Sequence, residues 1–266
     1  MRLLISLMAA LATLLASSAL RAQTADQARL MFTVGLGQSS GGGTLWSVGR
    51  QPFIIDPSMT DTLALTRSFR RSLDVVLSGS YFPGDHLGFN VEAQLLGLAT
   101  QDDCRIVETQ GAIETQDLCR TIGQAKLSGA SAALSGGLIY RVASHQPLHP
   151  YARVNAGLLI TQQSFVKTTG TVYTVANEPA QLTLYEDRNP STLQPYLSFG
   201  GGVVAVIGKG YQLRFELRDN WVRVPMVDGP AGRQGLKPPT STVGKHILTA
   251  TLGFDVVLER KRGRRY

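Results

Sequence analysis

The final strand-length segment of this sequence alternates between apolar and small or polar residues. From Leu248 to Leu258 it reads Leu-Thr-Ala-Thr-Leu-Gly-Phe-Asp-Val-Val-Leu, so that every second residue, starting with Leu248, is apolar. Successive side chains of a β-strand point to opposite faces, and such a segment therefore has one apolar and one polar face. The same pattern recurs along most of the chain, which indicates an all-β protein built from amphipathic strands.

Eight segments show this alternation, and each predicts a β-strand. The connections between them alternate between short and long. This alternation is typical of outer-membrane barrels, which have short periplasmic turns and long outer loops. We therefore predict an all-β fold, an antiparallel up-and-down transmembrane β-barrel of eight strands. The predicted strands are 29–38, 72–82, 86–100, 125–143, 150–165, 193–207, 211–223 and 244–258, the short connections are 83–85, 144–149 and 208–210, and the long ones are 39–71, 101–124, 166–192 and 224–243.

An alternative count gives ten strands. Residues 44–50 and 62–69 are strand-like in their own right, and treating both as spans would keep an even strand number and widen the lumen. A wider lumen would favour a channel. Eight strands remain the favoured count, because Arg70 and Arg71 would make an unusual external turn between two spans.

The N-terminus predicts a secretion signal. Arg2 precedes an apolar run from Leu3 to Leu15, and small residues follow as far as Ala22. Positive, apolar and small-residue regions in this order are those of a signal peptide. An even number of strands after it would leave both ends of the barrel in the periplasm. The predicted divisions are a signal peptide at 1–22, a barrel domain at 23–258 and a basic C-terminal tail at 259–266.

The polar faces of the predicted strands carry acids and arginines, with almost no lysine. A soluble barrel would show these charges to water, where lysine is common, whereas arginine suits buried bidentate pairs with carboxylates. The interior of an eight-stranded barrel is just wide enough for side chains to fill. We therefore predict a paired charge network that plugs the lumen, made by Asp74, Glu92, Arg141, Arg153, Arg214, Glu216, Arg218 and Asp255.

A soluble lipocalin-like binding barrel would show the same alternation with its apolar face turned inward. The period alone does not distinguish the two, but the signal peptide, the loop lengths and the balanced charges favour apolar faces that point outward to lipid. Aromatic residues near strand ends would then suit the interfacial girdles of a membrane barrel. These residues are Tyr81, Phe82, Tyr140, Tyr151, Tyr196, Tyr211 and Trp221.

The two cysteines, Cys104 and Cys119, lie in the same long connection. An exported protein folds in an oxidising compartment, and we expect these two residues to form a disulfide. A loop of about 15 residues closed in this way gains roughly 3 kcal/mol in the chain-entropy model.

The formal net charge of +7 belongs mostly to the ends of the chain. Arg2 and Arg21 lie in the predicted signal peptide, and five further cations follow Glu259 in the tail. Without these residues the body of the protein is close to neutral. The composition therefore does not indicate a nucleic-acid-binding face.

The chain resembles small bacterial outer-membrane barrels of the OmpA/OmpW-type superfamily. The resemblance is carried by the signal peptide, the eight alternating strands, the sequence Glu92-x-x-x-Leu96-Gly97-Leu98 before the two-cysteine connection and the final amphipathic strand. It covers most of residues 27–258 and lies in the architecture. It implies a Gram-negative outer-membrane location, contact with outer-membrane lipid and lipopolysaccharide, and insertion by the barrel assembly machinery.

One departure from that family concerns the C-terminus. Family members usually end on an aromatic residue that closes the last strand and is read by the assembly machinery. Here a basic tail follows Leu258, so that Phe254 or Leu258 would take this role from within the chain.

No catalytic motif is evident in the sequence. It contains no Gly-x-Ser-x-Gly elbow, no His-Glu-x-x-His and no phosphate-binding glycine loop with lysine. We expect no enzyme activity, no metal and no cofactor. The favoured function is a structural or envelope-interaction role, in which the outer loops of the barrel contact the outside. We expect the protein to be a monomer. The alternatives are a narrow porin-like channel for small solutes and the soluble lipocalin-like barrel.

Overall fold

The structure of the protein, a computed structural model, describes residues 27–41, 43–56, 59–173, 178–187, 192–208, 210–232 and 237–261. The predicted signal peptide lies outside these residues. Strands and a single helix occur within them, numbered here in chain order. The elements are β1 (Gln27–Gly41), β2 (Thr44–Asp56), β3 (Met59–Phe69), β4 (Ser72–Tyr81), β5 (Leu87–Gly97), β6 (Thr100–Glu108), α1 (Ile113–Gln124), β7 (Lys126–Leu127), β8 (Ala130–Arg141), β9 (Leu148–Thr161), β10 (Thr168–Tyr173), β11 (Pro179–Tyr185), β12 (Thr192–Gly208), β13 (Tyr211–Val227) and β14 (Thr240–Lys261).

Eight of these strands close into an antiparallel barrel, which confirms the predicted fold class. The order around the ring is β1, β14, β13, β12, β9, β8, β5 and β4, and β4 then pairs with β1. Each barrel strand overlaps one of the eight predicted segments. The short connections all fall at one end of the barrel, and Gly210 in one of them has a φ of 97°, a backbone conformation that favours glycine.

Several strand boundaries differ from the prediction. The segment predicted as one strand from 86 to 100 leaves the barrel at Gly97, and the chain then enters a different sheet as β6. Strand β14 begins at Thr240 and runs on to Lys261, past the predicted end at Leu258. The first residues of the predicted tail are thus paired with β1, where Gln27 faces Lys261, and both ends of the described barrel lie beside the short turns.

Apolar side chains cover the outside of the barrel, and charged and polar side chains line the inside. This polarity is the reverse of the one expected for a soluble lipocalin-like barrel. A soluble monomer rarely exposes a contiguous apolar patch of more than a few hundred Å². The exposed belt includes Phe32, Val34, Leu36, Leu73, Leu77, Phe89, Val91, Leu95, Leu134, Leu138, Val154, Leu158, Leu193, Phe199, Phe215, Leu217, Leu248, Leu252 and Leu258.

The height of the apolar belt follows from β14. Leu248 and Leu258 are both exposed and lie ten residues apart on this strand. A rise of about 3.4 Å per residue and a strand tilt of about 40° give a belt roughly 26 Å high. This height matches the apolar band of about 25 Å found on transmembrane barrels.

The aromatic residues divide between two places. Tyr81, Tyr140 and Tyr211 are exposed on the outside at the short-turn end, where a girdle is expected. The prediction is wrong for Phe82, Tyr151 and Tyr196, which are buried inside the barrel because the strand alternation turns them inward. Trp221 is partly exposed and lies towards the opposite end, opposite His246 of the neighbouring strand.

The remaining elements form a second structure beyond the long-loop end of the barrel, which we name the cap. It comprises a sheet in the order β2-β3-β6-β7, the β10-β11 hairpin and α1. The ten-stranded alternative is wrong, because β2 and β3 pair with each other and with β6 and not with the barrel. The segments 101–124 and 166–192, predicted as long connections without strands, contain regular elements of the cap.

The cap and the mouth of the barrel share one hydrophobic core. Leu45, Leu63 and Leu118 of the cap belong to the same buried cluster as Leu96 and Ile247 of the barrel strands. The disulfide between Cys104 and Cys119, predicted from the sequence, ties β6 to α1 on the cap side of this core.

A buried ion pair organises the cap. Arg67 on β3 donates two hydrogen bonds to Asp102 on β6, at 2.5 and 2.6 Å. Its remaining donors reach the carbonyl oxygens of Phe165 and Lys167, both at 2.9 Å, and its guanidinium lies 5.2 Å from the ring centre of Trp46. One side chain thus joins three parts of the chain that are far apart in sequence.

No helix in the described part of the chain is long and apolar enough to cross a membrane.

Candidate functional site: the charged lumen

Four charged side chains form a connected cluster at mid-height in the lumen. Arg153 lies 2.7 Å from Glu92 Oε2 and 2.7 Å from Glu216 Oε1. Arg218 donates to both oxygens of Glu92 and, at 2.8 Å, to Glu216 Oε1. Each of the two arginines therefore bridges both carboxylates, and we name this set the central quartet. All four side chains are at most 2% exposed, so that the pairing offsets the high cost of burying each charge alone.

Strand register places the quartet, and a glycine makes room for it. Gly200 on β12 is paired with Arg153 on one side and with Arg218 on the other. A Cβ atom at Gly200 would lie 2.8 Å from Glu216 Oε1. The absence of a side chain at this position thus gives the Glu216 carboxylate its place between the two arginines.

A second charged pair lies closer to the short-turn end. Arg214 on β13 donates to Asp255 Oδ2 at 2.9 and 3.1 Å, and its guanidinium lies 4.9 Å from the ring centre of Tyr151. The Tyr151 hydroxyl donates to Glu216 at 2.5 Å and so connects this pair with the central quartet. Arg141 lies still closer to the short-turn end, with its guanidinium 3.4 Å from the ring centre of Phe82.

Asp74 is a predicted network residue that stands apart from the quartet. It is buried near the cap end, where Oδ1 accepts a hydrogen bond of 2.6 Å from the backbone N–H of Gly97. No ion pair of Asp74 occurs among the described residues. The structure thus brings together six of the predicted residues through Tyr151, places Arg141 against an aromatic ring and leaves Asp74 as an acceptor for the backbone.

Several uncharged residues complete the lumen and were missed in the sequence. The Tyr196 hydroxyl lies 2.8 Å from Gln94 Oε1 and 2.5 Å from Asn220 Oδ1, and Gln94 also accepts from Arg218 at 3.0 Å. Strand parity could have found them, because Tyr196, Gln94 and Asn220 share the inward parity of Ser198, Glu92 and Arg218. Their polar groups extend the network from the quartet towards the cap.

A small cavity lies among these side chains. The cavity in the lumen has a volume of about 10 Å³, lined by Thr33, Ser78 and Thr251 together with the arginines of the network. That volume is about the minimum needed for a single water molecule. The hydroxyls of Thr33, Ser78 and Thr251 have no hydrogen-bond partner in the described chain, and buried polar groups of this kind are normally paired with protein or with water.

Apolar residues lie inside the barrel at its short-turn end. Met31, Phe82, Ile139, Tyr151 and Val204 form a small buried cluster there. Since the cap core covers the other end, the charged side chains lie between two apolar layers. The field of their charges is therefore confined to the barrel interior, where a low dielectric strengthens each pair.

A histidine–carboxylate pair lies on the outer surface of the barrel. His246 Nδ1 lies 2.8 Å from Asp219 Oδ2 on the exposed face near the cap. Ser40, on β1, is paired with Leu248, which is two residues along β14 from His246. The Ser40 hydroxyl makes no hydrogen bond with another described residue, and no group of three metal-ligating side chains occurs in the described chain.

Comparisons with known proteins give only distant likenesses. No family model matches the sequence, and no curated protein does so. Among solved structures, the chain is similar to Neisserial surface protein A (11% identity, 86% of this chain and 97% of that one, TM-score 0.44). It is also similar to the outer membrane protein OprG from Pseudomonas aeruginosa (10% identity, 87% and 98%, TM-score 0.44) and to the outer membrane protein AlkL (12% identity, 92% and 98%, TM-score 0.41). With TM-scores below 0.5 these likenesses identify no relative, and the description of the barrel rests on its own strand pairing.

Proposed function

We propose that the protein is an integral outer-membrane β-barrel whose plugged lumen serves as a rigid support for the cap. The observation that carries this proposal is the inverted polarity of the barrel, with an apolar belt outside and paired charges inside. Lipid covers such a belt without cost, and barrel closure satisfies the backbone hydrogen bonds within the bilayer. The cap then presents the surface through which the protein contacts the cell exterior.

The orientation follows from the lengths of the connections. Short turns face the periplasm in bacterial outer-membrane barrels and the longer connections face outward. The paired ends of β1 and β14 lie with the short turns, so both termini are assigned to the periplasm. Membrane lipid, lipopolysaccharide and the barrel assembly machinery are the partners that this location requires, and we propose a monomer without nucleic-acid binding or enzyme activity.

Insertion and orientation are tested together by protease protection. The full chain is refolded into lipid vesicles and treated with trypsin, which cleaves after the exposed Arg105 and Lys126 of the cap. We expect cleavage of the cap and a protected fragment set from the barrel strands. Complete digestion of the barrel in intact vesicles would contradict the membrane location.

A plugged lumen is tested by conductance in planar bilayers. We expect no steady single-channel openings from the purified protein, because the quartet bridges the lumen between two apolar layers. Steady openings whose conductance changes when Arg153 or Glu216 is replaced would overturn the plugged lumen.

A narrow channel is the second candidate function. The observation in its favour is the set of buried hydroxyl and amide groups without protein partners along β4, β5 and β9, which includes Ser78, Ser80, Asn90 and Asn155. A file of water molecules beside the quartet would satisfy these groups. The same bilayer recordings decide between the two candidates, since a hydrated file wide enough for solutes would conduct.

A further inference from the structure

A groove crosses the outer wall of the barrel just below the cap. It runs over β13, β14 and β1 and has a volume of about 390 Å³, which is within the range of ligand-binding pockets. Its lining includes Leu217, Leu248 and Ala250 at one end and Gln38, Ser40 and Arg71 at the other. The register places Gln38 opposite Ala250, and Ala250 opposite Leu217, in a single row across three strands.

The groove lies on the boundary between the apolar belt and the polar rim. Leu217 and Leu248 are 58% and 62% exposed and belong to the belt. On β13 the next outward-facing residue towards the cap is Asp219, and on β14 it is His246. The small side chains of Ala250 and Ser40 between bulkier neighbours make the depression. An apolar floor that meets a polar end at this height has the amphipathic character of a membrane lipid.

The polar end of the groove carries an exposed cation without an acidic partner. Arg71 takes part in no ion pair and no side-chain hydrogen bond with the described residues. The planar guanidinium of an arginine can donate two parallel hydrogen bonds to a phosphate group, which makes arginine a frequent phosphate-binding residue. Gln38 and Ser40 add an amide and a hydroxyl donor beside it. This set of donors fits the phosphate and sugar hydroxyls of a glycolipid.

We propose that the groove binds the lipid A part of lipopolysaccharide, with a phosphate on Arg71 and an acyl chain along Leu217, Ala250 and Leu248. The proposal rests on the outer-membrane location and outward cap proposed above, because these place the groove in the outer leaflet. The acyl chain lies against the belt, where it replaces bulk lipid. Arg71 supplies the selectivity, since lipid tails alone would not favour one lipid over another.

Native mass spectrometry of the full chain in detergent micelles tests this proposal. The probes are diphosphoryl lipid A, lipid A without phosphates and phosphatidylglycerol, each titrated separately. We expect diphosphoryl lipid A to bind more tightly than the other two. Arg71→Ala should weaken its binding at least about tenfold, the loss expected when a charge-assisted hydrogen bond is removed. Ala250→Phe, which fills the floor, should weaken it several-fold.

Arg70→Ala is the matched control. Arg70 is the neighbouring exposed arginine and does not line the groove, so its replacement makes the same change in net charge. We expect the affinity for diphosphoryl lipid A to stay within about twofold of the parent protein, the effect of a screened surface charge. Equal losses for Arg71→Ala and Arg70→Ala, or equal binding of phosphatidylglycerol and lipid A, would overturn the site.

The trypsin protection experiment distinguishes a failure of this site from a failure of the proposed location. A protein that inserts into vesicles with its barrel protected, but does not select lipid A through Arg71, retains the proposed function without the lipid site. A barrel that is digested in intact vesicles loses both.

Discussion

Arg218 and Glu92 meet across the full width of the barrel. They lie on β13 and β5, which are four strands apart in either direction around the ring of eight, and yet Arg218 donates to both carboxylate oxygens of Glu92. Two side chains thus bridge opposite walls of the lumen. Because Arg153 joins Glu92 to Glu216 as well, strands that share no backbone hydrogen bonds are held to one another through the interior.

Removal of one carboxylate from the quartet should destabilise the barrel strongly. Glu92→Gln leaves Arg153 and Arg218 with one carboxylate between them. Removing one partner of a buried ion pair lowers the free energy of unfolding by about 3 to 5 kcal/mol. The free energy of unfolding is measured by urea titration in lipid vesicles. The double variant Glu92→Gln with Arg218→Gln should lose less than the sum of the two single changes, because it restores neutrality.

A surface pair provides the control for this cycle. Glu108 lies 3.4 Å from Arg50, and both side chains are more than half exposed. Glu108→Gln makes the same chemical change and should cost about 0 to 1 kcal/mol. Equal losses at Glu92 and Glu108 would contradict the role assigned to the quartet.

Gly200→Ala should destabilise the barrel through the same cluster. The added methyl group would displace the Glu216 carboxylate from between Arg153 and Arg218, and overpacking of this kind costs about 1 to 3 kcal/mol. We expect a lower urea concentration at the midpoint of unfolding. We also expect a lower temperature at which heating changes the mobility of the barrel on a gel. Gly79→Ala, at an open position on β4 with nothing within 4 Å of the added atom, should leave both values unchanged.

The barrel is predictable from the sequence because each of its strands has two different environments on its two faces. Strand parity alone assigns Glu92 and Arg218 to the interior. It does not pair them, since these residues are 126 positions apart and meet only through ring closure.

The cap was not predicted for a different reason. Residues 44–50 and 62–69 are strand-like in the sequence, but the pattern does not say which strands they pair with, and the partners lie far along the chain, as with Thr66 of β3 and Asp103 of β6. The centre of the cap is the pair of Arg67 and Asp102, and no local pattern marks an isolated charge as buried. The sequence therefore predicts only long connections where the cap is found.

Reduction of the disulfide should loosen the cap and leave the barrel intact. Cys104 and Cys119 are 15 residues apart and close a loop that ends within α1, and a loop of about this size stabilises by roughly 3 kcal/mol. In the variant with both cysteines replaced by serine, we expect faster trypsin cleavage within α1. The heat-induced gel-mobility shift of the barrel should not change, and a large change there would contradict the separation of cap and barrel.

Docking of α1 should depend on pH through Asp61. Burial of this carboxylate is opposed by hydrogen bonds from Thr115, Gln110 and Thr109, which hold the pKa of Asp61 below its ordinary value. A lowered folded-state pKa gives stability that is present above the unfolded value of about 3.9 and is lost as the pH falls through the folded value.

Hydrogen exchange of the α1 amides measures this dependence. Protection should be constant near neutral pH and should fall on acidification below about pH 4. Asp61→Asn should lower protection at neutral pH and flatten its acid dependence. Asp102 is present in both proteins, so its contribution cancels in the comparison. An unchanged acid profile in the variant would show that Asp61 does not carry the effect.

The pair of His246 and Asp219 gives a direct test of the proposed lack of catalysis. Nucleophilic hydrolysis needs a hydroxyl within hydrogen-bond reach of the base that activates it. Ser40 on β1 and His246 on the neighbouring strand β14 are not directly opposite each other, because Ser40 is paired with Leu248. The Ser40 hydroxyl makes no hydrogen bond with a described residue. We therefore expect no hydrolysis of p-nitrophenyl esters or of lipid A acyl chains above the rate in buffer. Activity that is lost in both Ser40→Ala and His246→Ala, but kept in Ser47→Ala on the cap, would overturn this expectation and assign a hydrolase to the same groove.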